Sequence, residues 1–125
     1  MTENGFLPGA HPIDAYGNLG FRFGGMSHRG SILAVPSGVH ASTVAEGQAL
    51  AEADLAALWR EPPGTVELLL LGTGAHLVPV PEALRWALRA RNIRFEPMPT
   101  GAAARTYNIL LGEKRLVAAL LVAVP

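Results

Sequence analysis

The chain has 125 residues, ten of them basic and ten acidic, with four histidines and no cysteine. That length suits one ordinary domain whose core holds together without a metal or disulfide staple. The zero net charge excludes a nonspecific nucleic-acid binder, which needs a cationic face to displace counterions. The missing cysteines exclude disulfides, thiolate metal sites and thiol nucleophiles.

Only 16% of the residues are charged while half are apolar. Set against a usual charged share of about 25%, this implies a large core and some apolar surface left for a partner. Lys114 is the single lysine among the basic residues; the rest are arginines. Arginine suits forked contacts to carboxylate or phosphate, although a GC-rich genome produces the same bias. Residues 1–11 lack the basic-then-apolar pattern of a secretory signal. The strongly apolar run at 116–124 is far shorter than the ~20 residues that span a bilayer. The expectation is a cytoplasmic protein, at most peripheral to a membrane.

Residues 1–12 are polar and carry Gly and Pro, so they are expected to form a flexible lead-in, with one domain over 13–125. Phe21 and Phe23 alternate with Arg22, the period of a half-buried strand, and Gly24-Gly25 breaks it. A second strand covers 31–35, ended by Pro36 and a Ser37-Gly38 turn. Residues 39–48 show no clear period. A helix begins near Ala51, with Leu55, Leu58 and Trp59 on one face and Glu52 and Asp54 complementing its positive end. Pro62, Pro63 and Gly64 stop it.

The run at 66–71 has almost no alternation and predicts a central strand buried on both faces. Pro81 suits the first position of the next helix, where its missing N–H is harmless. Leu84, Ala87 and Leu88 form that helix's buried stripe. A short strand is expected at 93–96. Thr100 then caps a third helix to about residue 111, which Gly112 ends in a left-handed conformation. The run at 116–124 predicts an interior last strand. Strands alternating with helices imply three layers around a central sheet, an α/β fold.

Two turns follow predicted strands: Gly72, Thr73 and Gly74, and then Thr100 and Gly101. In open α/β sheets ligands sit beyond the carboxyl ends of strands, where glycine lets the backbone approach and helix N–H groups hold anions. Arg105 would add charge there, or pair internally with Glu96 or Glu113. The same residues also serve as ordinary turn and cap chemistry. His11, His28, His40 and His76 match no compact ligand spacing, so no metal and no other cofactor is expected. Ser27, Ser37 or Ser42 could be combined with His28, His76 and Asp14 on paper, but no nucleophile elbow supports a hydrolase. No catalytic residue is therefore assigned. Tyr107 and Asn108 suggest a buried polar pair. Trp86 falls off the buried stripe of its helix. Either another element covers it, or it is an exposed aromatic anchor for a partner.

Several segments recur together in one small-domain family. They are Ile13-Asp14-Ala15-Tyr16-Gly17, Gly20-Phe21-Arg22-Phe23, Gly30-Ser31-Ile32-Leu33 and Pro36-Ser37-Gly38-Val39. Leu71-Gly72-Thr73-Gly74, Thr100-Gly101-Ala102-Ala103 and Arg105-Thr106-Tyr107-Asn108 follow in the same order. From about residue 13 to 122 the chain resembles the Mth-type domain of unknown function. That family includes bacterial and archaeal stand-alone proteins, adipogenesis-associated vertebrate proteins and a mitochondrial respiratory complex I assembly factor. The resemblance implies a three-layer α/β fold with a mixed central sheet whose last strand runs antiparallel to its neighbours. It implies no established activity and no catalytic residues. It also places the Gly72–Gly74 turn and the segment at 100–108 in one surface region. With no mitochondrial presequence, a bacterial stand-alone member is expected.

Two functions follow from these readings. One is a non-catalytic interaction or assembly factor, with respiratory-complex subunits or a second copy as partner, located in the cytoplasm or peripherally at the inner membrane. The other is a small-molecule or anion-binding protein, or an enzyme, using the Gly72–Gly74 and Thr100–Arg105 rim.

Overall fold

The computed structural model describes residues 5–125. Nine strands and three helices follow in chain order among them. They are β1 (Phe6–Pro8), β2 (Ile13–Gly17), β3 (Gly20–Phe23), β4 (Met26–Arg29), β5 (Ser31–Val35) and β6 (Gly38–Ser42). A 3₁₀ turn (Glu52–Leu55) leads into α1 (Ala56–Trp59), and then come β7 (Leu68–Gly72), α2 (Glu82–Ala90), β8 (Arg94–Met98), α3 (Thr100–Gly112) and β9 (Val117–Leu121).

Six strands form the main sheet in the order β1-β6-β5-β9-β7-β8, and β2-β3-β4 form a separate antiparallel meander. Strands β5, β7 and β9 are buried along almost their whole length. Their side chains alternate between two cores, as the two-residue period of a strand requires. Leu33, Val35, Leu69, Leu71, Ala118 and Leu120 face α1 and α2. Ile32, Ala34, Leu70, Val117, Ala119 and Leu121 face Ala103, Ala104 and Tyr107 of α3 and Phe21 and Phe23 of the meander. The three layers are thus α1 and α2, the mixed sheet, and α3 with the meander.

The last strand is interior, as its apolar run predicts, and its direction meets the expectation on one side only. It is antiparallel to β5 and parallel to β7. The crossover through α3 carries the chain back to the starting edge, so β9 must run with β7 and β8. The reversal falls on the hairpin side, where β5 and β6 pair antiparallel.

Several boundaries move. Phe6–Pro8, within the expected lead-in, pairs with β6 as an edge strand; residues 1–4 lie outside the described part. The stretch without a clear period contains β6. Pro81 and Pro99 precede the first helical residues, so Pro81 is a cap and Thr100 is already helical. Gly112 stays within α3, and Lys114 at φ 59° takes the left-handed position instead. The helix runs on because the Glu113 N–H still finds the carbonyls of Ile109 and Leu110.

The Asn18–Leu19 turn joins β2 to β3 with φ of 51° and 61°. Positive φ at both central residues is the two-residue hairpin geometry that matches strand twist. At the far edge of the main sheet, the Arg94 N–H bonds to the Glu67 carbonyl. Alternate residues of β8 therefore point outward, and one of them is Pro97, which has no donor to offer another strand.

Leu70 sits in the middle of β7 with none of its surface exposed. Leu70→Ala is expected to cost about 2–5 kcal/mol, measured as a lower denaturation midpoint.

Candidate functional site

Strands β7 and β8 end side by side, and their following turns leave toward opposite faces: one to α2, the other to α3. This is the switch point at which open α/β sheets usually bind ligands. Here it is laced shut. The Thr73 N–H donates to the Met98 carbonyl at 2.9 Å. The Thr73 hydroxyl donates to the His76 carbonyl at 2.7 Å and accepts the Val78 N–H at 3.0 Å. The Thr100 N–H donates to the Gly74 carbonyl at 2.8 Å. In return the Thr100 hydroxyl accepts the Gly74 N–H at 3.0 Å and donates to the Val122 carbonyl at 2.7 Å. Both threonines are buried.

The turn also has a resident anion. The Ala75 N–H donates to the Glu46 carboxylate at 2.5 Å. A Cβ at Gly74, whose φ is 112°, would meet that carboxylate at 2.6 Å. Glycine is thus needed twice over, for backbone conformation and for carboxylate access. Glu46 lies in a stretch of sequence with no period, so no local pattern marks it as the partner of a turn almost thirty residues away.

The structure brings Gly72, Thr73, Gly74 and Thr100 together, with the polar groups of the two threonines and the Gly74 N–H engaged inside the fold. Arg105 lies elsewhere, exposed on α3. Its Nη1 donates to the Tyr16 hydroxyl of β2 over a long 3.5 Å. It pairs with neither Glu96 nor Glu113. The Tyr16 hydroxyl also rests against Gly101, where a Cβ would come within 2.3 Å of it. Gly101 and Arg105 therefore form a second region with Tyr16, a residue that sequence reasoning quoted only as part of a motif.

Asn108 and Tyr107 have separate duties. The Asn108 side chain accepts the Ile13 N–H and donates to the Ile13 carbonyl, each at 2.7 Å. It thereby completes the start of β2 and fastens the meander to α3. Tyr107 is 1% exposed, and burial pushes its phenol up to about 12. Ser37 donates to Glu61 at 2.7 Å, and Ser42 accepts the Val44 N–H at 3.2 Å. Among the described residues no group of three His, Asp or Glu side chains lies within metal-binding reach. Trp86 is 62% exposed on the side of α2 opposite Leu84 and Leu88. Its Nε1 has one long contact, donating to Glu82 Oε1 at 3.4 Å.

Two variants probe the lacing. Thr100→Val leaves the Gly74 N–H and Val122 carbonyl buried without their partner, at a cost of about 2–4 kcal/mol; Thr100→Ser keeps the hydroxyl and retains most of that stability. Thermal melting distinguishes them.

The histidines give a pH dependence. Burial lowers His28 below its usual 6.5, against the opposing hydrogen bond to the Ser31 carbonyl. Burial also lowers His40, helped by the Arg60 charge and opposed by Glu61. The unfolded chain then binds more protons just below the ordinary imidazole value, so this stability is full above it and is lost as pH falls through that window. The denaturation midpoint is expected to be lower at about pH 5.5 than at about pH 7.5. The His28→Gln/His40→Gln double variant should flatten the difference.

A family described as "Protein of unknown function (DUF498/DUF598)" matches residues 13–122. An uncharacterized protein of Rhodobacter capsulatus is 44% identical over 98% of this chain and 92% of its own length. NADH dehydrogenase (ubiquinone) 1 alpha subcomplex assembly factor 3 of Rattus norvegicus is 30% identical, and the match covers 100% of this chain but 66% of that protein. The chain therefore spans just under two thirds of that relative's length. A crystal structure described as an outer membrane protein from Bartonella henselae superimposes with a TM-score of 0.90 at 48% identity, covering 94% of this chain and 98% of that one. A Bordetella pertussis protein, described as a Mth938-like domain, gives a TM-score of 0.75 at 28% identity over 90% of this chain and 85% of its own. The chain shares that fold, and with a family match running from β2 to the end of β9 it belongs to the DUF498/DUF598 family of proteins of unknown function.

Proposed function

We propose that this protein acts by contact with another protein, as a non-catalytic assembly factor, and that Trp86 is the anchor of that contact. The observation that carries the reading is the exposure of Trp86. A large aromatic on the outward face of a nine-residue helix contributes nothing to the core. Rigid aromatics of this kind, ringed by charge, supply much of the energy of an interface once a partner encloses them. Glu82, Arg85 and Arg89 provide such a ring. The relatives named as assembly factors support the same reading, and they motivate testing subunits of a respiratory membrane complex as partners beside a second copy of the chain. No described helix is long and apolar enough to cross a membrane.

A second reading, anion binding, is favoured by one observation. Among the described residues Arg105 has no carboxylate partner, and it stands beside Tyr16 in the second turn of α3. A guanidinium held only by a long bond to a phenol, close to a helix start, suits an anion. On this reading the ligand lies on the Tyr16 side, because the hydroxyls of the strand-end turns are already engaged.

Trp86→Ala tests the leading proposal. The variant should melt within about 0.5 kcal/mol of wild type, as surface substitutions do. It should also lose the protein that wild type captures from native membranes or cytosol. Capture that is unchanged by the substitution, or turnover of a small substrate by the purified wild type, would overturn it.

A further inference from the structure

The outer face of the meander carries two arginines that the core does not use. Strand pairing places Ala15 and Ser27 on either side of Arg22, and Gly17 and Arg29 on either side of Gly20. These six residues share the face opposite Phe21 and Phe23, which are buried. Arg22 and Arg29 are therefore diagonal neighbours on adjacent strands, their bases about 7 Å apart. Between them lies a floor of small residues, and a Cβ on Gly17 would meet no atom within 4 Å. The result is an open groove of about 450 Å³, lined in part by Tyr16, Arg22, Ser27 and Arg29, with no acidic residue in its wall. Among the described residues neither arginine has an ion pair or side-chain hydrogen bond. The Tyr16 side chain, paired with Phe21, turns to the other side of the meander, toward Gly101 and Arg105 of α3, so the two arginines are the charged groups of this face.

We propose that this groove binds a phosphate group carried on a small organic molecule. One fork-shaped guanidinium satisfies a carboxylate, whereas two converging from adjacent strands suit a tetrahedral dianion with more acceptor oxygens. The Ser27 hydroxyl supplies a further donor between them. The groove is larger than bare phosphate requires and falls within the size range of small-ligand sites. The remainder of the ligand lies on the small residues Ala15, Gly17 and Gly20. The same phosphate chemistry occurs in a free phosphomonoester and in a lipid headgroup. The site is separate from Trp86 and does not depend on the protein-contact reading.

The test is a titration of the labelled full chain with phenyl phosphate, followed through amide resonances. Sedimentation is measured in parallel with vesicles of phosphatidylcholine alone and of phosphatidylcholine mixed with phosphatidic acid. Amides of residues 15–29 should shift saturably, and Arg22→Gln/Arg29→Gln should weaken binding about tenfold or more. If that pair disturbs folding, Ser27→Asp places a repelling charge in the same groove and should weaken binding equally. Binding to phenyl phosphate supports the site with a soluble ligand. Binding only to the acidic vesicles supports it with a lipid headgroup. No shift and no sedimentation, or equal binding by wild type and both variants, overturns the proposal. Capture through Trp86 should be unaffected by these variants, so failure of either proposal can be recognised separately.

Discussion

Strand β9 has hydrogen-bonded neighbours on both edges and apolar layers on both faces. It therefore tolerates neither a polar side chain nor an unpaired backbone group. It pairs antiparallel with β5 and parallel with β7, so it is the seam between a hairpin half and a crossover half. Val117, Ala119 and Leu121 serve one core while Ala118 and Leu120 serve the other. The alanines matter as much as the larger residues. Small side chains at 118 and 119 leave room for leucines from β7 and for the close approach of α3. Removing β9 would separate the two halves of the sheet and expose both cores.

The carboxyl ends of the parallel strands show how a ligand-binding location can become a structural one. The turn after β7 and the first residue of α3 exchange hydrogen bonds, and the Thr100 hydroxyl extends the exchange to Val122 just beyond β9. Three successive segments are thereby tied at one point. Glu46 adds a carboxylate from the far side of the chain. Donors that would hold an external anion are satisfied internally, and desolvation makes them costly to release. An external ligand must then be met on surfaces that the core leaves unoccupied: the outward side of α2 and the outer face of the meander.

These surfaces differ in character. Trp86 projects from a short helix whose opposite side is pinned by Leu84 and Leu88, so it is held rigidly without being enclosed. The meander is attached chiefly through its inner phenylalanines and the two hydrogen bonds between Asn108 and Ile13. That attachment leaves its outer arginines free of structural duty. One surface suits a macromolecular contact and the other a small anion.

Much of the fold was legible in the residues because it depends on local periodicity. The unbroken apolar runs of β7 and β9 identified interior strands, Phe21 and Phe23 identified the buried side of β3, and the Leu84–Leu88 stripe oriented α2 and set Trp86 apart. The Gly-Thr-Gly turn and Thr100 meet at one place, as two turns following parallel strands do. What they do there was not readable, because hydrogen bonds to Glu46, Met98 and Val122 join residues far apart in sequence. Likewise, the direction of β9 depends on a crossover, the pairing of Phe6–Pro8 on a neighbour more than thirty residues away, and the placement of Arg105 beside Tyr16 on the packing of α3 against the meander. Local pattern determined which residues avoid water; only the tertiary structure decided which polar groups satisfy one another and which remain free to meet a ligand.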